Sequence, residues 1–225
     1  MPYFLVILAY FIGSVSAAII SCKILGKVDP RTVGSKNPGA TNVLRHGGKK
    51  AAAFTLIGDM LKGVIPVAIG HAFGLDWSWL ALIGVAAFMG HLYPVYYGFK
   101  GGKGVATAFG VFLGLNPILG IVLLLSWIIA ALIFNISSLS ALIATLLAPI
   151  YFYVVTGSLP LFFGLLFITL MIYWRHRTNI VEIINGTEDH IVEKGGKTTV
   201  KSSNSAESSE PANSQYTEYK QSESH

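Results

Sequence analysis

Charged residues are scarce in this 225-residue chain: Asp, Glu, Lys and Arg together make up only 12% of it. A water-soluble domain carries about a quarter, so the sequence lacks the polar surface that an aqueous fold needs. Cysteine is nearly absent too. The single Cys22 excludes an intrachain disulfide and a cysteine metal cluster, and it is expected to pack in the first helix. No basic region precedes the first apolar run, which opens Met1-Pro2-Tyr3. Despite the small residues Ser14-Val15-Ser16-Ala17, that run is expected to stay as a span rather than be cleaved as a signal peptide. No stretch reads as a nucleic-acid module, a soluble domain or an internal repeat, and no metal site is expected.

What fills the chain is hydrophobic: 53% of its residues, with a mean hydropathy of +0.61. Repeated apolar runs of about 17–25 residues read as transmembrane helices. The first three are 3–21, 51–72 and 79–97. The next run, 105–134, could be one helix, but that would put Arg175 and Arg177 on the face opposite the other basic residues, against the positive-inside rule. A split at Asn116-Pro117, where proline removes a helix donor, gives spans 105–115 and 117–134 instead. The first of these is short and must tilt or continue into the loop. Runs 139–155 and 161–174 complete the set. Lys23, Lys27, Arg31, Lys36, Arg45, Lys49 and Lys50 follow the first span, which assigns that loop to the cytoplasm. The expectation is an all-α polytopic membrane protein of seven transmembrane helices, N-terminus outside and C-terminus cytoplasmic. Residues 1–194 would form the membrane domain. Residues 195–225 are too polar to bury a core and are expected to be a disordered tail with no catalytic role.

Three polar islands interrupt this hydrophobic pattern, and the topology puts all three on the cytoplasmic side. The first is Gly34-Ser35-Lys36-Asn37-Pro38-Gly39-Ala40-Thr41-Asn42-Val43-Leu44-Arg45. Its arginine suits bidentate contact with a phosphate, and its hydroxyl and amide groups add hydrogen-bonding capacity. An ordinary positive-inside loop explains Lys49 and Lys50 well, but it explains this dense run poorly. The second, Gly101-Gly102-Lys103-Gly104, leads into a helix start at Val105. Bare backbone N–H groups, a lysine and a helix N-terminus together favour an anion. It is not a P-loop, because Lys103 is followed by glycine and no strand precedes it. A tight interfacial turn with a snorkelling lysine is the plain alternative. The third island carries Arg175, His176, Arg177, Asn179 and Glu188. A histidine there is an interfacial anchor unless other polar groups converge on it. Inside the second span, Asp59 and Lys62 lie one helical turn apart, either as a mutually neutralising pair or with Lys62 reaching toward the cytoplasmic site.

Taken together, the islands resemble the bacterial acyl-phosphate:glycerol-3-phosphate acyltransferase family, PlsY. The blocks that carry the resemblance are Asp29-Pro30-Arg31 with 34–45, Gly90-His91 and Tyr93-Pro94 with Phe99 to Thr107, and His176, Asn179-Ile180 with Gly186-Thr187-Glu188. The resemblance implies transfer of a fatty acyl group from acyl phosphate to the sn-1 hydroxyl of glycerol 3-phosphate, giving lysophosphatidic acid and phosphate. Neither CoA nor ATP is implied, and no cofactor is expected. By position, Ser35 and Arg45 would be essential first-block residues. Lys103 with Gly101, Gly102 and Gly104 would hold substrate phosphate, and His176 and Asn179 would be third-block site residues. Asn37, Gly39, Thr41 and Asn42 join the expected phosphate-binding set, and Ser138 is expected to contact glycerol 3-phosphate. Glu188, Asp59 and Lys62 would support the fold. Lys36 stands where glycine is usual in the family, which offers an extra phosphate contact or an altered affinity. Tyr93 and Glu182 are tolerable departures.

The expected partners are acyl phosphate, glycerol 3-phosphate, membrane lipid and the enzyme that makes acyl phosphate. A monomer in the bacterial cytoplasmic (inner) membrane is expected, with its site facing the cytoplasm. His71 and Asp76 match the His-x4-Asp pattern of acyl-CoA-dependent glycerolipid acyltransferases, but they fall in an outside loop away from every basic island, so the match is taken as coincidence. Gly110 and Gly114 could open space for the acyl chain or simply permit helix contact. A transporter of an organic phosphate is the alternative function; it would need polar residues continuing to the outside face. A non-enzymatic scaffold would leave the Ser/Asn/Arg/Lys clusters unexplained.

Overall fold

Asparagine, proline and serine set the helix boundaries. In the computed structural model, which describes residues 1–191, the Asn116 side chain accepts from the N–H groups of Ile118 and Leu119. With Pro117 in the first turn, this N-cap starts a new helix where the sequence argued for a break. The expected polar tail, 195–225, lies outside the described residues.

The helices are α1 (Pro2–Gly13), α2 (Ala17–Ile24), α3 (Ala40–Gly47), α4 (Lys49–Ala72), α5 (Trp77–Leu92), α6 (Val105–Leu115), α7 (Pro117–Phe134), α8 (Ser137–Thr156), α9 (Leu159–Arg175) and α10 (Arg177–Ile184). Among the described residues there are no strands. Among the described residues four helices are long and apolar enough to cross a membrane, and up to six spans result if each bent pair counts as one. The first run is one of these pairs: α1 and α2 meet at 41° across Ser14-Val15-Ser16, so the expected span 3–21 is broken rather than continuous. The other pair, α9 and α10, turns by 60° at His176. Helix α6 has 11 residues, about 17 Å at the usual rise, against a hydrocarbon core of about 30 Å.

Small residues let the helices approach closely. A Cβ at Gly63 would come 2.3 Å from the Thr107 carbonyl, and one at Gly110 would come 2.1 Å from the Met60 carbonyl, so α4 and α6 touch backbone to backbone. Gly114 faces Val64 and Val67 of the same helix. The Gly110 and Gly114 pair is therefore used for helix contact. Gly13 and Gly90 do the same between α1 and α5. The buried core between these helices includes Phe88, Phe112, Phe152, Leu161, Leu165 and Ile168. On the outer surface, Ile118, Leu125 and Leu132 of α7 are exposed, as expected where the solvent is lipid.

Two further sequence features resolve into packing. Asp59 and Lys62 form a buried ion pair at 2.8 Å, and the Lys62 ammonium also donates to the Val15 carbonyl at the α1–α2 break. Lys62 thus neutralises Asp59 and satisfies a carbonyl left open by the break. His71 reaches the Leu115 carbonyl, while Asp76 N-caps α5 through Ser78 and Trp79. Each has a separate structural partner, consistent with the rejected His-x4-Asp pairing.

Candidate active site

Lys103 is the centre of the polar end of the bundle. Its ammonium donates to Asn179 Oδ1 of α10. Asn179 Nδ2 in turn donates to both oxygens of Glu188, at 2.8 and 2.9 Å, and the Ser138 hydroxyl donates to Glu188 Oε1 at 2.6 Å. An ammonium offers only donors and a carboxylate only acceptors, so this chain of partners fixes which way the Asn179 amide points. Burial is the main reason the Lys103 pKa falls below its ordinary value; Glu188 and Glu182 pull it back, while Arg175 and Arg45 add to the fall. Burial would raise the Glu188 carboxyl, but the hydrogen bonds from Ser138 and Asn179 and the Lys103 charge outweigh it and leave the group lowered.

The glycines before Lys103 act differently from what the sequence led us to expect. The N–H of Gly101 donates to the Leu92 carbonyl and that of Gly102 to the His91 carbonyl. The Arg175 guanidinium caps both residues from the other side, donating to the carbonyls of Gly101 and Gly102 at 2.9 and 3.2 Å. A Cβ on Gly102 would lie 2.3 Å from His91 Nε2. These two glycines are needed because the loop lies flat on the end of α5, and their amides are not available to cradle a phosphate. That corrects the expectation for Gly101 and Gly102. Gly104, with φ at +88° and its Cα against Phe88, still starts α6, whose first-turn N–H groups have no partner within the helix.

The first island is organised by Asn42. Its amide donates to the carbonyls of Pro30, Val33 and Asn37, and its Oδ1 accepts from the Ser35 N–H. Asn42 is buried and fully used in bracing the loop, which corrects its expected role as a phosphate ligand. The Gly39 N–H is likewise spent on the Asn37 carbonyl. Gly34, at φ +55°, packs where a Cβ would strike His46 and Asn42. Lys36 has φ at 56°, a left-handed conformation that favours glycine. Ser35 and Asn37 sit on this loop, and the Thr41 hydroxyl lies 3.4 Å from that of Ser137 at the start of α8. Arg45 forms an ion pair with Asp189 at 2.8 Å. The Ser138 hydroxyl spends its proton on Glu188, and its oxygen keeps acceptor capacity toward a ligand hydroxyl.

His176 sits in the α9–α10 bend, buried, with Nδ1 on the Ile172 carbonyl at 2.8 Å. That contact places the proton on Nδ1 and leaves Nε2 as the acceptor of a neutral ring. Burial chiefly, with the Lys103 and Arg175 charges, lowers its pKa to about 4. A neutral ring at pH 7 follows, and a weak base.

All three islands therefore meet at one end of the bundle: first to third through Arg45–Asp189, and second to third through Lys103–Asn179 and Arg175. Among the described residues no group of three His, Cys, Asp or Glu side chains could hold a metal. Sequence reasoning did not give roles to Arg175, His91 or Asp189. Arg175 and His91 carried a signal, as polar residues at the ends of spans facing the glycine loop; Asp189 did not.

A family model described as glycerol-3-phosphate acyltransferase matches residues 3–186. The protein named glycerol-3-phosphate acyltransferase from Thioalkalivibrio sulfidiphilus is 52% identical over 198 residues, covering 88% of this chain and 96% of the relative. The one from Ruthia magnifica is 50% identical over 190 residues, 83% and 95% of the two chains. Crystal structures of PlsY, an integral membrane glycerol 3-phosphate acyltransferase, are similar in fold. The glycerol 3-phosphate form has a TM-score of 0.80 at 40% identity over 84% of this chain and 94% of that one. The lysophosphatidic acid form has a TM-score of 0.78 at 39% identity with the same coverage.

Proposed function

From the premise that the chain belongs to the glycerol-3-phosphate acyltransferase family, we propose that it acylates the sn-1 hydroxyl of glycerol 3-phosphate from acyl phosphate. The products are lysophosphatidic acid and inorganic phosphate, a step of phospholipid synthesis. The observation that carries this reading is the convergence of Lys103, Arg45, Asn179 and His176 at one end of an apolar bundle. An anionic, water-soluble acceptor and a lipid-soluble donor can both reach such a boundary.

Acyl phosphate is a mixed anhydride, so the enzyme needs no covalent nucleophile. The sn-1 oxygen attacks the acyl carbonyl carbon, the carbonyl–phosphate C–O bond breaks, and phosphate departs with that bond's electron pair. The protein's tasks are to orient two anions and to stabilise the charge that moves from carbonyl oxygen to leaving phosphate. Lys103 and Arg45 supply fixed positive charge, Ser35 and Thr41 hydroxyl donors, Asn37 an amide, and the first turn of α6 after Gly104 further N–H groups. Asn179, held by Glu188, fixes where the Lys103 ammonium sits. The proton of the attacking hydroxyl passes to a substrate phosphate, a better acceptor than His176, whose pKa is about 4. His176 instead orients a substrate hydroxyl, which donates to the bare Nε2. Asp59, Lys62 and Glu188 support the arrangement.

We place the site on the cytoplasmic face of the bacterial inner membrane. The reading has seven spans: the α1–α2 pair, α4, α5, a short tilted α6, α7, α8 and α9, with the N-terminus outside. The chain works without a cofactor, as a monomer, supplied by the enzyme that makes acyl phosphate. The test is direct. Purified protein given acyl phosphate and labelled glycerol 3-phosphate, without CoA, forms lysophosphatidic acid; Ser35→Ala or Lys103→Ala abolishes product while the protein stays folded. Uptake of glycerol 3-phosphate into vesicles without acylation would instead establish the transporter.

A further inference from the structure

Two arginines of this chain meet aspartates in different ways. Arg31 grips Asp29 as a fork, with Nε at 3.0 and 3.1 Å from the two carboxylate oxygens and Nη2 at 2.6 Å from one of them. Arg45 does not. Its Nη1 donates to one oxygen of Asp189 at 2.8 Å, while Nη2 is turned to the His190 carbonyl at 3.3 Å. Only one carboxylate oxygen is engaged, and the pair is open to water, with Asp189 76% exposed.

The segment that presents Asp189 is tied on both sides. Before it, the N–H groups of Thr187 and Glu188 donate to the Glu182 carbonyl, and the Glu188 carboxylate is anchored by Ser138 and Asn179. After it, the Ile191 N–H donates to the Asn135 carbonyl at 2.8 Å. The chain therefore holds a carboxylate against Arg45, beside the Lys103 chain, with little freedom to drift.

We infer that Asp189 sets the affinity for a substrate phosphate by occupying Arg45 in its absence. This rests on the reading of Arg45 as a phosphate ligand. A phosphate monoester carries more charge than a carboxylate and offers an oxygen pair to the guanidinium fork. It displaces the single-oxygen contact of Asp189, and Asp189 retakes Arg45 when phosphate leaves. The competing contact weakens apparent binding by the strength of an exposed ion pair, about two- to fivefold.

The experiment uses the purified full chain. Dissociation constants for glycerol 3-phosphate, a non-hydrolysable acyl phosphate analogue and inorganic phosphate are measured by calorimetry for the wild type, Asp189→Asn, Asp189→Glu, Arg45→Ala and the Arg45→Ala/Asp189→Asn double variant. KM, kcat and phosphate inhibition are added for the three that keep Arg45. The expected result for Asp189→Asn is a two- to fivefold lower dissociation constant and KM for one of the two phosphate substrates and tighter inhibition by phosphate, at unchanged kcat. The substrate whose KM falls is the one Arg45 holds. Asp189→Glu stays near wild type, and the gain vanishes in the Arg45→Ala background. Constants that stay the same or rise in Asp189→Asn, or a gain that persists without Arg45, overturn the inference. If Arg45→Ala itself leaves all three constants unchanged, the phosphate-binding reading of Arg45 fails first, and the inference falls with it.

Discussion

Lys103 illustrates how one buried cation couples function to pH. Its folded pKa lies below the ordinary 10.5, mainly because burial disfavours the charged form. In its proposed role Lys103 holds phosphate as the ammonium, so the alkaline limb of kcat/KM for glycerol 3-phosphate is expected to fall before pH 10.5 is reached. The stability change has the opposite sign. Between the lowered folded value and the unfolded one, the unfolded chain binds more protons, so this group's contribution to stability rises with pH. Activity should therefore be lost in a window where thermal unfolding shows no loss from this residue; rate profiles and melts recorded side by side check it. Lys36 gives a second prediction. A non-glycine residue in the left-handed region costs about 1–2 kcal/mol, part of which glycine gives back in backbone entropy. Lys36→Gly is expected to stabilise the protein by about 0.5–1 kcal/mol in a thermal melt. The sequence pointed to this position for its charge, but only the backbone conformation explains why glycine suits it.

At the scale of elements, α4 and α6 depend on having no side chain at their crossing. A Cβ at Gly63 would be 2.3 Å from the Thr107 carbonyl and 2.8 Å from the Val111 nitrogen, both backbone atoms that cannot rotate away. Gly63→Ala is expected to cost about 1–3 kcal/mol, the range for overpacking a tight contact. Because α6 begins at Val105, with only its N-cap Gly104 between it and Lys103, a shift of α6 also moves the lysine. The expected kinetic signature is a raised KM for glycerol 3-phosphate in whatever protein still folds, read from saturation curves. The break between α6 and α7 was legible in the sequence because Asn116-Pro117 is a local signal: a capping side chain and a missing donor act within one turn. The break between α1 and α2 was not. Ser16 does cap α2 by accepting from the Ile19 N–H, but a serine in an apolar run is a weak signal, and the open Val15 carbonyl is satisfied from α4 by Lys62, a residue 47 positions away.

For the whole molecule, hydrogen bonds gather the C-terminal ends of α5, α7 and α9 and the N-terminal ends of α6 and α8 at one end of the bundle. Single cysteines placed at Lys49, Lys100 and Arg177 in a Cys22→Ser background are expected to be shielded from an impermeant thiol reagent in intact cells. A cysteine at Gly74 should be labelled. Labelling of all four positions from the same side would overturn the proposed orientation.

Composition and residue order alone determined that this is a helical membrane protein with its charge gathered into three islands. Hydropathy and the positive-inside bias are sums over local residues, and the blocks of the resemblance lie in contiguous sequence. Tertiary structure alone decided which polar groups remain available for a ligand. Gly101, Gly102 and Asn42 read as phosphate donors in sequence, yet their hydrogen bonds are taken by His91, Leu92, Pro30 and Val33. Arg175 and Asp189, given no role at first, hold the loop and Arg45. The physical reason is that a donor or acceptor can be satisfied by any group brought near it, and sequence spacing does not say which group the fold brings.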